Sequence, residues 1–365
     1  MSLRAVYQQH TLYFRFEAGT SRGVLTDKAS YFVRIFDPKR PGPFGLGECS
    51  PLKGLSPDDR PDFEAALDEI CDRFNRIGSD LHAWDINAVV REWVGDAFPA
   101  IQFGFETALL DWQHGGKRLI FDNAFFAGNP IDINGLIWMD SEGRMRAQID
   151  DKLREGYQCL KLKIGAIDFE GECRLLHYVR QRYPASRITL RVDANGAFSA
   201  DEAPEKLRQL AQFGLHSIEQ PIRAGQSDQM AALCRRTPLP IALDEELIGV
   251  ATLQAKKDLL EHIRPQYIIL KPTLLGGFGH CREWIALAES LRIGWWITSA
   301  LESNVGLNAI SQFTAEFNNP LPQGLGTGQL YTNNVTSPLT ISGGQLHYDA
   351  GTEWNLGTLS GLTDE

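Results

Sequence analysis

The six cysteines of this 365-residue chain, Cys49, Cys71, Cys159, Cys173, Cys234 and Cys281, include no C-x-x-C pair, so neither a zinc ribbon nor a disulfide framework is indicated. They are expected to be reduced and packed. The eight histidines are equally scattered, with no H-E-x-x-H or H-x-x-x-H among them, and histidine-based metal chemistry is not advertised. Positive charge is the scarcer sign. A formal net charge of -10 and a pI near 5.4, without any basic stripe, argue against general binding to nucleic acid or to an anionic membrane. The same balance suits a site that holds cations. No apolar run reaches the length of a membrane span, and the opening residues MSLRAVYQQH lack the apolar centre of a signal peptide, so a cytoplasmic protein is expected. No G-x-G-x-x-G joins a first strand to its helix, which removes the fingerprint of a dinucleotide-binding open sheet.

What is present divides the chain. Its length exceeds the size at which one hydrophobic core stops growing, so a large domain plus a smaller one is expected. Residues 10–36 alternate and turn around GTSRG; FGLGECSPL and an acidic, helix-like stretch over 57–78 follow, which reads as a small α+β unit. From about residue 130 short apolar strands recur with helical segments between them: IDINGLIW, CLKLKIG, ITLRVDANG, SIEQPI, IALDEEL, YIILKPT, GWWITSA and QGLGTG. Eight strands alternating with helices are what a closed parallel barrel requires. After about 330, NN, SP and SGG turn signals suggest a segment that folds back on the front unit. The expected divisions are therefore 1–125, 126–330 and 331–365.

CLKLKIG, residues 159–165, holds two lysines one residue apart in an apolar run. Strand side chains alternate faces, so Lys161 and Lys163 point the same way, and two buried like charges need an anionic partner. An edge strand with solvent-facing lysines is the alternative for this heptapeptide alone. Asp193, Glu219, Asp244 and Lys271 follow at intervals of one βα unit each, every one near the C-terminal end of its strand, where barrel enzymes place their chemistry. The three carboxylates, brought together unpaired, would repel and take up protons, whereas a divalent cation satisfies them. All-oxygen ligation points to a hard ion, Mg²⁺, with Mn²⁺ as a substitute. The alternative is that each acid caps a helix or pairs with a nearby arginine.

Lys161 and Lys163 on one side of such an ion and Lys271 on the other would flank a small-molecule carboxylate substrate. Crowding is expected to lower one amine from about 10.4 toward about 7 or 8 and so supply a base. Arg191 and Asn195 share the strand face of Asp193, and Glu245 follows Asp244; they are candidates for orienting the ligands, or are structural.

The order Lys-x-Lys, Asp, Glu, Asp, Lys, carried by RVDANGAF, SIEQPI, ALDEEL and ILKPTLLGG, resembles the enolase superfamily in its muconate-lactonizing-enzyme subgroup. That resemblance implies an α/β fold, a (β/α)7β TIM-like barrel with an α+β capping domain built from both termini, one essential Mg²⁺, and enolate formation from a carboxylate. ITSALESNVGLNAI and QGLGTGQLYTNN resemble the o-succinylbenzoate synthases within the subgroup. Those enzymes imply syn dehydration of 2-succinyl-6-hydroxy-2,4-cyclohexadiene-1-carboxylate to 2-succinylbenzoate in menaquinone biosynthesis. By this similarity Lys163 abstracts the proton and returns it to the departing hydroxyl, Lys271 stabilises the enediolate, and Lys161 tunes Lys163.

The hydroxyls of Ser299 and Ser303 are then candidates for the succinyl carboxylate, and Gly326 and Thr327 of the eighth strand are further candidates for binding the substrate. Loops near 19–23 and 47–52 would close over the substrate, with Ser21 or Arg22 in contact, or would serve as turns only. N-acylamino acid (N-succinylamino acid) racemase and muconate cycloisomerase are the alternatives, as is a barrel that has lost catalysis. GLGTGQL lacks the Asp-x-Asp of dipeptide epimerases, and Lys271 stands where mandelate racemases carry histidine. The sequence specifies no oligomeric state.

Overall fold

The computed structural model describes residues 3–20, 23–40, 42–77, 85–165 and 168–363. The alternating front segment forms β1 (Arg4–Thr20) and β2 (Gly23–Phe36), a long antiparallel hairpin whose register slips between Tyr13 and Ala18, with β3 (Gly45–Cys49) pairing β2 on its other side. Three helices back this sheet: α1 (Phe63–Ile77), α2 (Ile86–Val94) and α3 (Pro99–Gln113). Phe63, Leu67, Ile70, Cys71 and Phe74 repeat at helical spacing along α1 and are all buried. β3 lies so close to α3 that a Cβ at Gly45 or Gly47 would collide with the carbonyl oxygens of Ala108 or Gly104.

The chain continues through β4 (Ile131–Asp132), β5 (Gly135–Ile137), α4 (Glu142–Arg154), β6 (Cys159–Lys163), α5 (Phe169–Arg180), β7 (Thr189–Asp193) and α6 (Ala203–Ala211). β8 (Ser217–Glu219), α7 (Ser227–Arg236), β9 (Ile241–Leu243), α8 (Leu253–Ile263), β10 (Tyr267–Leu270), α9 (Pro272–Leu275), α10 (Gly277–Ser290), β11 (Gly294–Ile297) and α11 (Asn304–Thr314) complete the alternation. Strands β5 to β11 pair in sequence order and in parallel as a seven-stranded sheet.

The expected eighth strand, QGLGTG, is not a regular strand. It closes the barrel through single parallel bridges, Gln323 to Ile133 and Gly324 to Thr298. Gln323 N–H donates to Asp132 O and Gly324 N–H to Ile297 O, each at 2.8 Å. Gly324 permits this approach, because a Cβ there would overlap the Thr298 side chain. The result is a (β/α)7β barrel.

Along its strands Leu160, Leu162, Leu190, Val192, Ile218, Ile241 and Leu243 face the helices as one large core, while Ala242, Ile269 and Trp296 plug the interior. The C-terminal segment divides. β12 (Leu339–Ser342) and β13 (Gln345–Tyr348) form a hairpin at the SGG turn and add to β4, whereas Leu359 and Leu362 pack with Phe32 and Leu46 of the front sheet. No helix among the described residues is long and apolar enough to cross a membrane.

Glu106 joins the front unit to the barrel. It projects from α3, is buried, and accepts the backbone N–H of Phe278 at the start of α10. Burial pushes its carboxyl from 4.5 up to about 8 against the backbone N–H groups of Phe278 and Gly279. A raised acid stabilises the fold below its unfolded value and loses that contribution as pH climbs through about 8. Glu106→Gln is therefore expected to match wild type near pH 4.5 and to exceed it by a few kcal/mol at pH 9 in denaturant melts. An unchanged difference across this range would contradict the assignment.

Candidate active site

β6 turns Lys161 and Lys163 to the barrel interior, and the parallel register sets Lys161 beside Arg191, Lys163 beside Asp193 and Asp193 beside Glu219. Asp244 follows the last residue of β9, and Lys271, extended before Pro272 as a pre-proline residue prefers, follows β10. All six residues are buried, none more than 8% exposed. Three lysine amines thus meet three carboxyl groups at the C-terminal rim of one barrel.

The contacts are close. Lys161 Nζ donates to Glu219 Oε2 at 2.6 Å and lies 3.0 Å from Asp193 Oδ2. Lys163 Nζ donates to Asp193 Oδ2 at 2.6 Å and to Asn195 Oδ1 at 2.8 Å. Lys271 Nζ donates to Asp244 Oδ2 and stands 4.0 Å from Glu219 Oε1. Burial lowers the Lys161 ammonium, but Asp193 and Glu219 outweigh it and hold Lys161 above its ordinary value. The expected crowding of the lysine pair therefore does not depress Lys161. Lys271 is likewise raised, since Asp244 and Glu219 overcome its desolvation. Burial alone would raise Asp193, yet Lys161 and Lys163 bring it below the usual carboxylate range. Asp244 is lowered in the same way by Lys271.

Glu219 goes the other way. Burial, with the charges of Asp193 and Asp244, pushes it from 4.5 up to about 8, and its Oε1 accepts no hydrogen bond among the described residues. A buried carboxylate oxygen without a donor, among acids that repel one another, is the donor set a hard divalent cation suits. Asp193, Glu219 and Asp244 would hold such an ion. As placed, the acids are interleaved with ammonium groups, and no three His, Cys, Asp or Glu side chains among the described residues stand close enough to hold a metal by themselves.

Asn195 takes an orienting position. In the left-handed region at φ 44, it donates its N–H to Asp193 Oδ1 at 3.0 Å, receives Lys163, and passes Nδ2 to Glu245 Oε1 at 3.0 Å. Arg191 does not. Its guanidinium stacks 4.0 Å over Trp296 and Nη1 donates to Pro322 O at 2.8 Å, so it makes no hydrogen bond to the acids.

A cavity of about 1360 Å³ opens on Lys161, Lys163 and Lys271 and is walled by Ser299, Gly326 and Thr327. Gly19 and Gly23 of the front hairpin and Leu52 also line the cavity. Ser21 and Arg22 lie outside the described residues. Ser303 is a correction: its hydroxyl donates to Glu48 Oε2 at 2.5 Å, caps α11 through Val305 N–H at 3.1 Å, and lines no part of the cavity. Ser299 lines it but is occupied, donating to Glu302 Oε2 at 2.5 Å. Sequence reading missed Phe16 and Trp138, whose rings meet edge to face at 5.8 Å on the cavity wall. Trp138 had a signal, as the last residue of the strand candidate IDINGLIW.

The family described as "Enolase C-terminal domain-like" matches residues 144–352. The o-succinylbenzoate synthase of Desulfotalea psychrophila is 49% identical over 362 residues, covering 93% of this chain and 97% of that protein. The crystal structure of MenC from the same organism superposes with a TM-score of 0.84 at 45% identity, covering 95% of this chain and 100% of that one. An N-succinylamino acid racemase of Amycolatopsis sp is 29% identical over 228 residues, 62% of this chain and 60% of that protein. With the strand-end lysines and acids in one barrel mouth and a match over more than half its length, this chain belongs to the enolase superfamily.

Proposed function

We propose that the protein is an o-succinylbenzoate synthase, a hydro-lyase that dehydrates 2-succinyl-6-hydroxy-2,4-cyclohexadiene-1-carboxylate to 2-succinylbenzoate. The observation that carries this reading is the ring of Lys161, Lys163, Asp193, Glu219, Asp244 and Lys271 in one cavity, in a chain so similar to the Desulfotalea synthase.

Proton removal beside a carboxylate is difficult because negative charge collects on the carboxylate oxygens. When bound by Asp193, Glu219 and Asp244, Mg²⁺, or Mn²⁺ in its place, neutralises that charge. Lys271 and Lys161, both held as ammonium by the acids beside them, place further positive charge around the same oxygens. Lys163, aimed by Asp193 and Asn195, takes the proton in its amine form and returns it to the departing hydroxyl. One base acting twice on the same face gives a syn elimination, and loss of water leaves an aromatic ring. Six unpaired cysteines fit a reducing, cytoplasmic setting.

Lys163 and Lys271 are donated by strands apart in the sheet and line the same cavity, which also favours proton exchange between two faces, the chemistry of an N-succinylamino acid racemase. Purified protein with Mg²⁺ should be offered the cyclohexadiene carboxylate, N-succinyl amino acids, dipeptides and muconate. Loss of the diene absorbance is expected with the first. Racemisation of N-succinyl amino acids without any dehydration would transfer the assignment to the racemase.

A further inference from the structure

Ser299 sits in the middle of a hydrogen-bond chain that runs in one direction. Thr327 Oγ1 donates to Ser299 Oγ at 2.8 Å, and Ser299 Oγ donates to Glu302 Oε2 at 2.5 Å. Glu302, fully buried, only receives: Thr273 Oγ1 reaches its Oε1 at 2.5 Å and Ala300 N–H reaches Oε2 at 2.8 Å. A hydroxyl has one proton and two lone pairs. The lone pairs of Ser299 are taken by Thr327 and by the Leu301 N–H at 3.1 Å, so Ser299 has nothing left for a ligand. Thr327 has spent its proton on Ser299 and keeps only lone pairs for the cavity it lines.

The loop bearing Ser299 and Glu302 is also fixed from the front unit. Glu48 accepts Ser303 N–H and Gly306 N–H, each at 2.9 Å, together with the Ser303 and Ser30 hydroxyls at 2.5 and 2.8 Å. Reversing the chain would mean breaking charge-assisted bonds in a buried network.

We propose that Thr327 is a specificity-determining residue that accepts a hydrogen bond from a substrate O–H and offers nothing to a carboxylate. The identity of that O–H rests on the dehydration reading. With both carboxylates ionised, the proposed substrate has a single donor, the ring hydroxyl, and the product has none. Thr327 Oγ1 holds the hydroxyl proton while the hydroxyl oxygen takes the proton returned by Lys163. The C–O bond breaks, its electron pair stays on oxygen, and water departs. Thr327 thus reads the group that the reaction removes, and distinguishes substrate from product.

Thr327→Val keeps the shape and deletes the acceptor, whereas Thr327→Ser retains it. In Thr327→Val, kcat/KM for the cyclohexadiene carboxylate is expected to fall roughly tenfold, the size of one neutral hydrogen bond, with Thr327→Ser recovering most of it. The Kd of 2-succinylbenzoate, titrated calorimetrically with Mg²⁺ present, should remain within about twofold of wild type in both variants. Ser299→Ala gives an independent check, since it frees the Thr327 proton for a carboxylate and should tighten product binding relative to substrate. Equal losses for substrate and product in Thr327→Val, or no loss at all, would overturn the proposal. Wild-type protein that leaves the substrate untouched would instead defeat the reading of the reaction, and this inference with it.

Discussion

Replacing Lys163 with alanine is expected to lower kcat by about 10³-fold, within the range a positioned general base supplies, while leaving the circular dichroism spectrum unchanged. The fold should survive because Asp193, the main partner of Lys163, remains 3.0 Å from Lys161 and is not stranded as an unpaired buried charge. Asn195 loses its contact to Lys163 but keeps those to Asp193 and Glu245. Exchange of the substrate's acidic hydrogen with solvent deuterium should vanish along with turnover. Retention of turnover within tenfold of wild type would remove Lys163 from the role of base, whatever the variant's stability.

Chelation is the second large effect. EDTA should abolish dehydration, with Mg²⁺ or Mn²⁺ restoring it. Glu219 gives the effect a pH signature. Pushed up to about 8 by burial and by Asp193 and Asp244, its carboxyl must release a proton before it can serve a cation. Apparent Mg²⁺ affinity should therefore rise with pH up to about 8, and binding at pH 7 should release protons, seen as a dependence of calorimetric heat on the buffer's ionisation enthalpy. The melting temperature should climb with Mg²⁺ concentration as expected for a ligand of the native state. Turnover that is indifferent to EDTA would contradict the proposed ion.

The strand-end groups were legible because three independent signals coincide at each: an apolar run of strand length, a charged residue at its C-terminal end, and recurrence once per βα unit. Burial confirms the inference from CLKLKIG that paired lysines require facing anions, for Lys161 and Lys163 lie against Asp193 and Glu219. The hydroxyls were not legible. Ser303 is sequestered by Glu48, 255 residues away in sequence, and no local pattern announces that contact. Ser299 is occupied by Glu302 only three residues on, but whether a nearby carboxylate receives a serine proton depends on a loop conformation that propensity does not fix. QGLGTG resembles a strand in position alone, since Gly324 allows the close approach to Thr298 that closes the barrel while the segment makes isolated bridges there.

α3 carries no amphipathic signature because it is buried on nearly every side, between the front sheet and the barrel, so its periodicity is silent. Arg191 shares the strand face of Asp193 as expected, yet the same alternation that brings it inward also delivers it to the Trp296 ring, and stacking there replaces contact with the acids. Face and register are encoded locally; the partner on that face is chosen by distant strands.

Anomalous diffraction from crystals grown with Mn²⁺ and 2-succinylbenzoate tests the central claim most directly. One strong peak within coordination distance of Asp193, Glu219 and Asp244 together, with the lysine ammonium groups drawn back from between the acids, is the predicted result. A peak elsewhere, or an ordered product carboxylate among the lysines with no ion beside those three residues, would contradict it.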